Sequence, residues 1–272
     1  MNNRKLVLML RTIAIVGVWA GATRAASTPG VVTPPVKNPT TRPATGKSPD
    51  EAACGHSLPA SGQTAVVVAG DDGGTRAGTP LSYVDNGDGT ITDRTTGLMW
   101  EKKVKLDNAR DPANLHDADN CYPWVGRCAT SGASCGTDAD CGTNGSCTAA
   151  DCQTAIPSGL TILKWVAQLN ASKFAGHNDW RLPNPKELQS IVNYGVVNPA
   201  VTTAFNGASC GKCDNLANAA CSCTQSNNYW TSTTYALPGV TDGAWAVHFA
   251  NGAVVFNVKH ATNFVRAVRG GM

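Results

Sequence analysis

The side chains of this chain best suited to chemistry are its 11 cysteines, and their spacing decides what is open to them. Six fall between residues 121 and 152: Cys121, Cys128, Cys135, Cys141, Cys147 and Cys152. Four fall between residues 210 and 223: Cys210, Cys213, Cys221 and Cys223. Cys54 stands alone. The order Cys210-x2-Cys213-x7-Cys221-x-Cys223 fits two chemistries. Four thiolates in a short loop can close tetrahedrally on zinc. In an oxidising compartment they close as two disulfides, and even counts let each group close on itself. An N-terminal export signal, described below, favours disulfides for both groups, so no metal and no cofactor are assigned. Nothing else spells out a reaction. The five histidines are His56, His116, His177, His248 and His260, and no Gly-x-Ser-x-Gly or His-Glu-x-x-His string surrounds any of them or any serine. His177-Asn178-Asp179 is the nearest approach to a polar catalytic cluster. His248, Lys259, His260 and Arg266 offer positive charge near the C-terminus, either a patch for an anionic glycan or simply solvated side chains. The string Asp85-Asn86-Gly87-Asp88-Gly89 has oxygen donors, but glycine falls at positions 3 and 5, where a calcium loop needs ligands, so it reads as a turn.

These residues need elements to hold them. Gly243–Ala250 and Ala253–Lys259 are alternating runs joined by Asn251-Gly252, the pair that most strongly signals a hairpin. A two-residue turn would set Ala250 opposite Ala253 and Trp245 opposite Val258. Trp245, Val247, Phe249, Val254, Phe256 and Val258 then share a face predicted as core. Ala244, Ala246, His248, Val255, Asn257 and Lys259 share the other, which could meet a ligand or water. Asn263–Arg269 can add a strand with Arg266 pointing away from Val265 and Ala267. Upstream, Leu81–Asp85, Thr90–Asp93 and Leu98–Glu101 read as strands, and Ala65–Ala69 as a short one. Ser158–Asn170 reads as a helix capped by Ser158, with Leu160, Leu163, Val166 and Ala167 inward and Trp165 beside them. A second helix has Asn184 as its cap, Pro185 at N1, Glu187 at N3, Leu188, Ile191 and Val192 inward, and Gly195 as its stop. Trp100, Trp165, Trp180, Trp230 and Trp245 read as core. Strands, two helices and strands again make an α+β class with helices to one side of an antiparallel sheet.

The first 22 residues resemble an export signal: Arg4 and Lys5, then a mostly apolar run from Leu6 to Ala22, with small-x-small cleavage at Ala20-Gly21-Ala22. A membrane anchor is the other reading of that run, and Arg11 inside it weighs against a stable span. Removing it takes away three of the 22 basic residues, leaving as many as the 19 acidic ones. Such a balance lacks the basic footprint of a nucleic-acid binder. Residues 23–53 are rich in proline and threonine and read as an extended linker. The folded part is then 54–272, placed outside the cytoplasm: secreted, periplasmic or on the cell surface. No membrane span is expected after cleavage, and the oligomeric state is left open.

Four strings in order, Asp85–Trp100, Asn178–Leu188, Tyr229–Thr233 and Phe264–Arg269, resemble the Lcl C-terminal domain family of bacterial proteins, named after a collagen-like adhesin. The Cys-rich stretches 102–157 and 206–227 look like insertions. The resemblance implies a C-type-lectin-like fold: a twisted antiparallel sheet with two helices and, here, disulfide-stapled loop insertions. It also implies a non-catalytic binding or adhesion module whose last strands carry the ligand face, with an anionic polysaccharide or a cell-surface protein as partner. On this sequence that face falls on Tyr235, His248, Asn257, Lys259, His260 and Asn263. The calcium-binding string of true lectins is absent. Ala267 stands where formylglycine-generating enzymes of the same fold carry cysteine, so neither chemistry is carried over. An enzyme on that scaffold and a purely structural envelope component are the alternatives.

Overall fold

In the computed structural model the described residues are 58–143, 145–149, 160–206, 213–219, 221–238 and 242–270, all within the unit Ser48–Met272. The export signal and linker expected over 1–53, and Cys54, Cys152 and Cys210, lie outside them. The strands in chain order are β1 (Tyr83–Asp85), β2 (Thr90–Asp93), β3 (Met99–Glu101), β4 (Cys121–Pro123), β5 (Gly126–Cys128), β6 (Ser134–Cys135), β7 (Cys147–Thr148), β8 (Asn228–Thr234), β9 (Gly243–His248), β10 (Ala253–Val258), β11 (Thr262–Phe264) and β12 (Val268–Arg269). The helices are α1 (Asp72–Thr75), α2 (Ile162–Ala171) and α3 (Pro185–Gln189). Among the described residues no helix is long and apolar enough to cross a membrane. The class is α+β.

A four-stranded sheet runs β1-β2-β3-β12, and a five-stranded one β10-β9-β8-β11-β4. Pairing is antiparallel except for the parallel contact of Phe264 with Tyr229. The β1–β2 connection is a turn: Asp85 accepts from the Gly87 amide (2.9 Å) and Asp88 from the Thr90 amide (3.0 Å). Ala65–Ala69 is not a strand; Val66, Val67 and Val68 are exposed in a loop.

Two apolar clusters flank β9. Val247 and Phe249 pack with Leu188 of α3, whereas Ala244 and Ala246 pack with Ile162, Trp165 and Leu169 of α2. Successive strand residues point to opposite faces, so the helices sit on the two faces of the sheet, not on one. The face of Ala244 and Ala246, expected to be open, is therefore core. Helix α2 is capped by Thr161, whose side chain accepts from the Lys164 amide, rather than by Ser158. Its buried residues are Ile162, Trp165 and Leu169, while Leu163 is exposed, a rotation of the expected stripe. At α3 the capping box of Asn184 and Glu187 forms with Pro185 in the first turn, but the helix ends at the Ser190 cap, ahead of Gly195.

The stretch 102–157 does more than loop out. Its β4 pairs with β11, and Tyr122 of β4 stacks near Trp165 in the core. Beyond β4, the small sheet β6-β5-β7 is stapled by Cys128–Cys141 and Cys135–Cys147.

Candidate functional site

The β9–β10 ribbon has a different register from the one its Asn-Gly pair suggests. Trp245 faces Phe256 and His248 faces Ala253, a slip of two residues. The cause is competition for backbone groups. The Phe249 carbonyl accepts from the Ala200 amide (2.6 Å), the Ala250 carbonyl from the Asn198 amide (3.0 Å), and the Phe249 amide donates to Asn227 (2.9 Å). Those residues are thus unavailable to β10, and the chain turns over Phe249–Gly252, with the Gly252 amide donating to the His248 carbonyl (2.8 Å). Gly252 has φ +81°, and a Cβ there would meet Val192 and Tyr194 at 2.6 Å. A slip of two keeps every side chain on its own face.

What changes is the environment of that face. Val247 and Phe249 are buried, but β10 is the edge strand and nothing among the described residues covers its side of the ribbon fully. Phe256 and Val258 are each 51% exposed and Val254 38%, and Trp245 is half-buried. Tyr235, which follows β8, lies flat on Phe256 (ring centroids 4.4 Å apart, planes 6° off parallel) and meets Trp245 edge-on at 5.1 Å. The result is an aromatic ridge of Tyr235, Trp245 and Phe256, extended by Val254 and Val258. Of the residues expected on a ligand face, only Tyr235 belongs to it; Trp245 and Phe256 had been assigned to the core.

The other five lie elsewhere. Asn263 is buried, and its carboxamide oxygen accepts from Asn257 Nδ2 (3.1 Å). His248 is half-buried, its Nδ1 without a hydrogen-bond partner. Lys259 reaches back over the Trp124 ring at 5.3 Å. His260 Nε2 lies 3.4 Å from Ser134 Oγ in the disulfide-stapled stretch. Lys259 and His260 thus form a half-exposed basic corner at the end of β10. Arg266 is no part of it. It is 1% exposed and donates to the carbonyls of Glu101 (2.7 Å) and Cys223 (2.6 Å) and to Ser222 Oγ and Thr224 Oγ1 (2.9 Å each). Beside it, the buried Glu101 pairs with Lys103 Nζ (2.9 Å) and His116 Nδ1 (2.8 Å). Burial pulls the Glu101 carboxyl upward, but Lys103 and His116 outweigh it and hold it below the usual range. Asp179 and Arg181 each tie their loop to another segment. Asp179 binds Arg269 (2.7 Å), and Arg181 grips Glu187 with both Nη atoms (2.8 and 2.7 Å).

A model of the Lcl C-terminal domain matches residues 89–269. The chain belongs to the Lcl C-terminal domain family. Neither the curated proteins nor the solved structures contain a match. Three of the four strings that carried the resemblance fall inside the match, and the first overlaps it from Gly89. In this Lcl C-terminal domain, Cys121 and Cys221 are also disulfide-bonded, whereas Cys213 and Cys223 are buried free thiols, so the four cysteines of the second group do not close as the two disulfides expected. The family and the disulfides fit a secreted extracellular module.

Proposed function

We propose that this Lcl C-terminal domain is an exported, non-catalytic binding module of C-type-lectin-like fold that grips an anionic polysaccharide through the β9–β10 ribbon. The observation that carries the reading is the Tyr235–Trp245–Phe256 ridge on an edge ribbon. Aromatic rings left half in water offer flat apolar faces for the C–H surfaces of sugar rings, and each shields area on binding. Lys259 at the end of the same ribbon supplies positive charge, and His260 beside it a polar ring nitrogen, for sulfate or carboxylate groups. The ligand face is thus the Trp245 side of the ribbon, and Lys259, which leans over Trp124, stands at the ribbon's end and not on that face. The reading does not use His248, Asn257 and Asn263, because Asn263 is sealed and bonded to Asn257.

The test is retention of the full exported chain on immobilised heparin and on a panel of charged and neutral glycans. Retention by heparin, lost in Phe256→Ser and weakened by salt in the parent, supports the reading. Half of the Phe256 side chain already meets water, so that variant should lose only about 1 kcal/mol of stability. Absence of retention on every glycan, with the fold intact, overturns it.

A further inference from the structure

A cleft of about 730 Å³ opens on another part of the domain, lined by Lys105, Asp107, Asn198, Asp214 and Gln225 among others. Cys213 and Cys223 are part of its wall. Their surroundings differ from those of the structural disulfides in β5–β7. Cys213 Sγ lies 2.9 Å from Cys221 Sγ, and Cys221 is already in a disulfide. Cys223 is two residues along the chain from Cys221, and its thiol hydrogen-bonds to Cys213. The backbone of two of them is held: the Cys223 amide donates to the Lys103 carbonyl (2.8 Å), its carbonyl accepts from Arg266, and the Cys213 carbonyl accepts from the Lys105 amide (2.7 Å). A free thiol, a neighbouring thiol and a disulfide sulfur therefore meet at one buried point, with Cys213 and Cys223 in the wall of the cleft and Cys221 behind them.

We infer that Cys213, Cys221 and Cys223 form a thiol–disulfide exchange centre, in which Cys213 Sγ attacks Cys221 Sγ and small thiols and disulfides gain access through the cleft. The step is an isomerisation. Cys213 gives up its proton, a Cys213–Cys221 bond forms, and the bond between Cys221 and its present partner breaks. That partner leaves as a thiolate and takes a proton, so no electron is gained or lost. Supporting chemistry surrounds the attacking sulfur. The Cys223 thiol, then the Arg266 and Lys102 cations, draw the Cys213 thiol below its ordinary range despite burial, while Cys223 is pushed up. Cys213, whose Sγ lies 2.9 Å from Cys221 Sγ, is the nucleophile, and Cys223 is its hydrogen-bonded neighbour. With an external small disulfide RSSR, Cys213 thiolate forms a mixed disulfide and releases RS⁻. Cys223 can then displace the second RS⁻ and close Cys213–Cys223. This centre is independent of the glycan reading.

The experiment is disulfide mapping of the folded full chain. The protein is incubated with glutathione buffers of several ratios, quenched in acid, alkylated and digested. The expected result is two isomers, Cys221 with its present partner and Cys221 with Cys213, in a ratio that is the same in every buffer because no electron is exchanged, and a Cys213–Cys223 form that grows as the buffer becomes more oxidising, while Cys128–Cys141 and Cys135–Cys147 stay intact. In parallel, folded protein is mixed with an aromatic disulfide reagent. Cys213 should react first, and Cys213→Ser should abolish the fast phase. Cys221 found only with its present partner and no Cys213–Cys223 form at any buffer ratio, or no reaction of Cys213 short of unfolding, overturns the inference. Mapping needs no variant, so a misfolded Cys213→Ser does not remove the test.

Discussion

Replacing Arg266 by methionine should cost this domain about 3–5 kcal/mol of unfolding free energy. The side chain is fully buried and donates to four acceptors. Methionine keeps most of its length but no donor. Two acceptors retain partners: Ser222 Oγ still receives the Lys103 amide (3.0 Å), and Thr224 Oγ1 still donates to the Phe205 carbonyl (2.7 Å). The carbonyls of Glu101 and Cys223 lose a charge-assisted bond each. At about 1–3 kcal/mol for each buried group left wanting, they account for about 2–6 kcal/mol. Loss of the guanidinium over Phe205, at 5.3 Å, adds about 1 kcal/mol. Against this stands the desolvation cost of a buried cation, which the variant no longer bears. The net value is a large part of the roughly 5–15 kcal/mol typical of domains. The assay is urea unfolding followed by tryptophan fluorescence, comparing midpoints at constant slope. Arg266→Lys, which keeps charge but not the planar fork, should fall between parent and Arg266→Met. A loss below about 1 kcal/mol in Arg266→Met would refute the reasoning, because the fork would then not be what ties the Ser222–Thr224 segment to β3.

Three further outcomes follow from particular contacts. Asn184→Ala removes the side chain that accepts from the Glu187 amide at 2.9 Å, and should lower stability by about 1 kcal/mol in thermal melts. Asp117 is buried with Oδ2 unpartnered, and burial, aided by the nearby Asp119, Asp107 and Asp111, pushes its carboxyl up to about 6. A carboxyl raised in the folded state binds its proton more tightly there. Its contribution is therefore present below the unfolded value near 4 and is lost as pH rises through about 6. Melting temperature should accordingly rise as pH falls from 7 to 5, and Asp117→Asn should flatten that slope. Reducing Cys128–Cys141 and Cys135–Cys147, which span 13 and 12 residues, should release about 3 kcal/mol of local constraint each. Amide exchange should quicken across residues 126–148 while Trp100 and its neighbours stay protected.

What the sequence alone determined was whatever closes within a few residues. The Asn184–Glu187 box, the Asp85–Gly89 turn and the three strands β1 to β3 are legible because their decisive hydrogen bonds join residues two to four apart or adjacent strands across a tight turn. The in-and-out alternation of β9 and β10 was legible too, since a two-residue slip preserves it. Tertiary structure decided the rest. The ribbon's register followed from Ala200 and Asn198 taking carbonyls that a tight hairpin would have used, and they lie about fifty residues away along the chain. Which apolar face is dry depended on where α3 and its cluster end, so Val247 is buried while Phe256 on the same face meets water and stacks on Tyr235. Arg266 reads as outward in a strand pattern, yet its guanidinium is enclosed because four acceptors from two distant segments converge on it. The meeting of Cys213 with Cys221 and Cys223 has the same origin. Spacing allows many pairings, and only the packing of that loop against Ala118 and Lys103 brings one thiol to a disulfide.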